Sequence, residues 1–171
     1  MADTIRGTAW TFGDDISTDH IIAGKYYHLR GDLAALARHA LEDADLEFAE
    51  RAEPGVIIVA GKNFGQGSSR EHAALVLKER GVMAVLAQSI ARIFYRNAVN
   101  VGLPPIICNT QSIAMGDQLE LELGAGRVRN LTTDTRMSFE PLPPVMQAIL
   151  ADGGLVPHLL KHGGYAWRLS P

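Results

Sequence analysis

Apolar residues fall along this chain in short runs of changing period. Thr4–Thr11, T-I-R-G-T-A-W-T, alternates apolar and polar positions, the period of a half-buried strand. Residues 13–20, G-D-D-I-S-T-D-H, are polar and turn-prone. Between Asp32 and Glu42 the apolar positions are 33, 36, 37, 40 and 41, a helical period with Asp32 placed to cap its start. A Pro54-Gly55 turn then leads into V-I-I-V-A, 56–60, an unbroken β-branched run that reads as a buried strand.

The next stretch, Gly61 to Leu75, is G-K-N-F-G-Q-G-S-S-R-E-H-A-A-L. It reads as a glycine-rich loop entering a helix over residues 69–80, closed by Gly81. A second buried strand, M-A-V-L-A at 83–87, precedes a helix over 90–101 that stops at Gly102. P-P-I-I-C, 104–108, is a third strand. Strands alternating with helices imply a mostly parallel sheet with helices packed on it. After Cys108 the period shortens. Q-L-E-L-E-L (118–123) alternates strictly, and 127–133 and 137–142 continue a β meander broken by G-A-G and T-D-T turns. Two short helices, 143–150 and 155–162, follow on either side of Gly153-Gly154. The expectation is an α/β fold in one domain over 1–171, with an α/β core in 1–108 and the meander and terminal helices in 109–171.

Composition narrows the function. Hydrophobic residues make up 47% and charged residues 20%, which favours a packed core over disorder. A net charge of −3 gives no general attraction to nucleic acid or an anionic membrane, so neither is an expected partner. No window approaches the roughly 18 apolar residues of a membrane span, and M-A-D-T-I-R-G lacks a signal-peptide core. A cytoplasmic protein is expected. Cys108 is the only cysteine, which excludes an internal disulfide, a cysteine-ligated zinc and a self-contained iron–sulfur cluster, which needs about four thiolates. The six histidines offer no evident ligand spacing, so no metal is expected on this chain.

The glycine loop is the main candidate site. Between a buried strand and a helix it exposes backbone N–H groups near the positive end of the helix dipole, an arrangement that suits an anion. Arg70 adds a planar fork for carboxylate or phosphate, and Ser68 and Ser69 add donors. A purely structural alternative is equally open, because Ser68 and Glu71 also fit a capping box. The loop matches neither a P-loop, a G-x-G-x-x-G dinucleotide turn nor a G-x-S-x-G elbow.

The same loop resembles the G-x-N-[FY]-G-x-G-S-S-R-E-H-A signature of the swivelling domain of aconitase-family hydro-lyases. A-Q-S-I-A-R-I-F-Y-R-N-A-V-N-V-G-L-P-P-I (87–106) and G-D-D-I-S-T-D-H-I-I (13–22) resemble two further segments of that family, in the same order. The length is similar to that of stand-alone small subunits of 3-isopropylmalate dehydratase and of short homoaconitase-like relatives. The resemblance implies a swivelling β/β/α three-layer domain. It also implies dehydration and rehydration of a hydroxy-dicarboxylate or -tricarboxylate, with isopropylmalate of leucine biosynthesis the first candidate. A cysteine-rich large catalytic subunit would carry the [4Fe-4S] cluster.

By the same resemblance Ser68 is the catalytic base, and Ser69, Arg70, Thr18 and Asp19 bind substrate. Tyr26, Tyr27, His28 and Leu29 occupy the specificity loop. Arg30, in R-G-D-L, resembles a carboxylate-binding arginine, although pairing with Asp32 or with a partner is an alternative. Arg92 and Arg96 share one helix face and are expected either behind the residues that touch substrate or at a subunit interface. Two departures from the isopropylmalate pattern, Arg30 and Gln66, leave isopropylmalate and homoaconitate-type acids both open. A carboxylate-binding module without catalysis is the remaining alternative.

Overall fold

The computed structural model describes residues 4–164. Its frame is one seven-stranded sheet in the order β4-β3-β2-β1-β5-β6-β7. The strands are β1 (Thr4–Thr11), β2 (Val56–Ala60), β3 (Ala84–Ala87), β4 (Pro105–Ile107), β5 (Gln118–Glu122), β6 (Arg127–Asn130) and β7 (Thr135–Ser138). β1 pairs in parallel with β2, β2 with β3, and β3 with β4. On its other edge β1 pairs antiparallel with β5, and the meander continues through β6 and β7. The two sequence segments therefore share one sheet, joined at β1.

The helices are α1 (Thr18–Ile21), α2 (Leu33–Ala37), α3 (Leu46–Arg51), α4 (Glu71–Glu79), α5 (Arg92–Val101), α6 (Pro144–Ala151) and α7 (Leu155–His162), with a 3₁₀ turn over Gly24–Leu29. Asp32 caps α2 through Ala35 N–H, as its position in the sequence suggests, and Gly102 closes α5 in the left-handed conformation. The pattern of 32–42 gives a shorter helix than expected, because Leu41 turns to a positive φ and its N–H bonds to Ile21 O. The strand expected over 137–142 lies at 135–138.

Two apolar clusters fill the molecule. One joins α1, α2, α3, α4 and α5 to one face of the parallel strands, through residues such as Phe48, Ile58, Leu77, Val85 and Phe94. The other contains Ile57, Leu86 and Ile106 from the parallel half together with Leu119, Leu121 and Val128 from the meander. It takes no residue from a helix. Strands from both ends of the sheet's order share this core, so the sheet curls and its antiparallel half covers the face that the helices leave bare. That gives the helix layer and two β layers of an α/β fold. None of the helices among the described residues is long and apolar enough to cross a membrane.

Candidate active site

The glycine loop leaves the C-terminal end of β2 and is braced before it reaches α4. Asp14 Oδ1 accepts from Lys62 N–H at 2.7 Å. Asp15 Oδ1 accepts from Asn63 Nδ2 at 2.9 Å and Gln66 Nε2 at 3.3 Å. Ser89 Oγ accepts from Asn63 N–H at 2.8 Å. Phe64 is fully buried and packs edge-on against Phe94 of α5, with centroids 5.2 Å apart. Gly65 turns beneath that pair at φ +77°, where a Cβ would lie 2.3 Å from Phe94 Cγ, so only glycine fits.

Beyond Gly65 the loop runs beside the start of α1. Ser17 and Gln66 form a parallel bridge, and Thr18 N–H donates to Gln66 O at 2.8 Å. Thr18 is 2% exposed, and its hydroxyl donates to Ser68 O at 3.1 Å. Arg70 takes an extended backbone, and α4 starts at Glu71 with Arg70 as its N-cap and no side-chain cap bond. The capping box between Ser68 and Glu71 does not form. Ser68 and Ser69 stand exposed on the surface, open to a small acid.

Arg70 lies beside them, half-buried. Its Nη1 donates to Asp19 Oδ1 at 2.5 Å and to Ile22 O at 3.3 Å, so the guanidinium is tied to α1. It also faces the Tyr27 ring at 5.7 Å. The Arg30 guanidinium faces the same ring at 5.4 Å and donates to Tyr27 O at 3.3 Å. The His72 ring meets Tyr27 edge-on at 5.7 Å. Two cations and one aromatic ring thus cluster next to the exposed serines. Asp32 does not pair with Arg30 here; its carboxylate serves as the α2 cap.

The rest of the 3₁₀ turn faces elsewhere. Tyr26 stacks on His39 at 3.7 Å and donates its hydroxyl to Glu42 at 2.6 Å, which holds the Glu42 carboxyl below its ordinary range. Leu29 packs on the helical core, and His28 is exposed with Nδ1 2.9 Å from Lys25 O. Arg92 and Arg96 are exposed on α5. Cys108 is buried, and burial pushes its thiol up to about 11. A single enclosed thiol does not supply the roughly four thiolates of an iron–sulfur cluster, so the described residues do not fit one.

A family model for the aconitase C-terminal domain matches residues 18–111, which spans α1, the braced loop, α4 and α5. This chain belongs to the aconitase C-terminal domain family. Among its relatives in that family is a 3-isopropylmalate dehydratase small subunit from Archaeoglobus fulgidus, 59% identical over 157 residues, covering 92% of this chain and 95% of the relative. A methanogen homoaconitase small subunit from Methanothermobacter thermautotrophicus is 48% identical over 161 residues, covering 94% of each. The crystal structure of 3-isopropylmalate dehydratase from Methanocaldococcus jannaschii matches with a TM-score of 0.89 at 44% identity, covering 94% of this chain and 95% of that one.

Within this aconitase-type domain the structure brings Ser68, Ser69, Arg70, Asp19, Tyr27 and Arg30 to one surface region. Thr18 lies beneath them. Asp14, Asp15 and Ser89, the loop's braces, were missed in the sequence reading. Asp14 and Asp15 lie inside G-D-D-I-S-T-D-H, where two adjacent acids before an apolar residue look like any turn.

Proposed function

We propose that this chain is the small subunit of a heteromeric hydro-lyase that interconverts 2-isopropylmalate and 3-isopropylmalate. The observation that carries this reading is the exposed Ser68-Ser69 pair beside an arginine held to a second element, on a domain 59% identical to a 3-isopropylmalate dehydratase small subunit. The substrate needs its carboxylates neutralised and a proton taken from carbon. Arg70 supplies a fork for one carboxylate, pre-set by Asp19 and Tyr27 so that little side-chain freedom is lost on binding. Ser69 donates a further hydrogen bond. Ser68 takes the proton as an alkoxide, which requires positive potential because a free hydroxyl is far too weak an acid; Arg70 is this chain's contribution. Thr18 acts from below by fixing the Ser68 carbonyl.

In this reading a cysteine-rich large subunit would hold the [4Fe-4S] cluster, which would supply Lewis acidity for the substrate hydroxyl. The exposed loop is the face that this partner covers, and covering it removes the water that screens Arg70. The cytoplasm is the setting.

Ser68→Ala tests the assignment. The variant should still form the complex with its large subunit, with the cluster absorption unchanged, while turnover falls by about 10² to 10⁴-fold. Unchanged turnover would remove Ser68 from the chemistry. The second reading, a tricarboxylate of the homoaconitate type, is favoured by Arg30 lying on Tyr27 beside Arg70, where a further carboxylate can reach it. Arg30→Leu should selectively lose turnover of the tricarboxylate if that reading holds and leave isopropylmalate turnover intact if it does not.

A further inference from the structure

The C-terminal helices carry a polar cluster that the proposed reaction does not use. Asp152 follows α6, and His158 and His162 lie one turn apart on α7, a spacing that puts both imidazoles on one helix face. Asp152 Oδ2 lies 2.7 Å from His158 Nδ1 and 2.8 Å from His162 Nε2. Two imidazole nitrogens and a carboxylate oxygen therefore converge, all within 4.8 Å of one another. The side chains of His158, Asp152 and His162 are 0%, 7% and 35% exposed, so the cluster has a buried floor and one side open to water.

We propose that Asp152, His158 and His162 form a site for a divalent transition metal of the zinc class, with water completing the coordination on the His162 side. Two nitrogens and one oxygen are a ligand set suited to such borderline ions. Bonds of about 2.0–2.2 Å set tetrahedral ligands about 3.3 Å apart, so the present separations need to widen by only about half an ångström. His158 Nε2 is buried without a hydrogen-bond partner. Asp152 Oδ2 favours the proton on Nδ1; a metal in that gap would take the Nδ1 lone pair and move the proton to Nε2. Lys161 is the competing cation. It sits on the other oxygen, Asp152 Oδ1, at 2.6 Å, on a side chain that is 63% exposed and free to move out.

The cluster lies at a structural joint. Gly153 O accepts from Lys78 of α4 at 2.7 Å, and the α6–α7 connection packs on the end of α5. A metal there would fasten α7 to the end of α6, independently of the Ser68 loop. The H-x-x-x-H spacing at 158 and 162 has no acid on the same helix, and Asp152 is brought to it only by the turn between α6 and α7.

The test is titration of the full, tag-free chain with Co²⁺ and then Zn²⁺. Co²⁺ should give visible d–d absorption that saturates at one equivalent and is abolished by Zn²⁺, and Zn²⁺ should raise the melting temperature. His162→Gln keeps an N–H donor for Asp152 but is a poor ligand. It should fold, lose the cobalt band and bind Zn²⁺ more than about tenfold more weakly. Lys161→Ala should bind at least as tightly as the parent chain. Absence of the band in the parent chain, or a band that His162→Gln leaves unchanged, overturns the site and reduces the cluster to a hydrogen-bonded joint.

Discussion

At the scale of single residues, the site depends on what holds Ser68 still. The residue is exposed while its carbonyl is gripped by Thr18, which is buried and has almost no surface to offer a substrate. Thr18→Val, nearly the same size but without the donor, should release the carbonyl and lower kcat by about 10²-fold through misplacement of the serine. Thr18→Ser should restore it. Equal loss in both variants would show that the hydroxyl is not the relevant group. Ser68, Ser69 and Arg70 were legible in the sequence because they are contiguous and carry recognisable chemistry. The ion pair of Arg70 with Asp19 was not, since 51 positions separate the partners and either residue alone has an ordinary local explanation. Tyr26 shows the opposite case. It reads as part of a substrate-facing loop, yet its hydroxyl is engaged by Glu42 and its ring by His39, contacts that only tertiary packing brings about.

At the scale of elements, the informative departure is the start of α4. Local pattern favours a helix from residue 69 with Ser68 as its cap, but the helix begins at Glu71. Gly65 and Gly67 both take positive φ, and α1 captures Gln66 O and Ser68 O, so the chain bends at Ser68 and reaches Arg70 extended rather than helical. Long-range hydrogen bonds here outweigh the modest worth of a cap. The loop's shape in turn rests on Gly65 under Phe94. Gly65→Ala would force a methyl group into the ring and an L-residue into left-handed backbone, a cost of at least about 1–3 kcal/mol. Denaturant unfolding should show that loss. Turnover should fall further than stability alone explains, because the serines would shift with the loop. Lys78 of α4 plays a comparable joining role, donating to Val101 O at the end of α5 and to Gly153 O beyond α6. Burial lowers its pKa.

At the scale of the whole molecule, the strand–helix alternation of 56–108 and the alternation of 118–123 were readable one by one. Their meeting in a single sheet was not, because nothing local states that β1 pairs with a segment more than a hundred residues later. Nor does any local pattern show that the sheet's second face is covered by the sheet itself. Leu121 sits at the centre of that covering, fully buried. Leu121→Ala should cost about 2–5 kcal/mol and loosen the antiparallel half from the parallel one. Hydrogen exchange should then accelerate first in β5–β7 and leave β2–β4 protected. Uniform acceleration would mean that the two halves unfold only together. The central place of β1 has a consequence for the chain as it is made. Residues 4–11 leave the ribosome before the other strands of the sheet and find β2 once residue 60 has emerged, but their other edge must wait for β5. Through that interval a ready-paired strand offers bare N–H and C=O groups above an apolar underside, open to any neighbouring nascent chain. The period of greatest aggregation hazard for this protein therefore falls within translation, before the meander arrives to cover that edge.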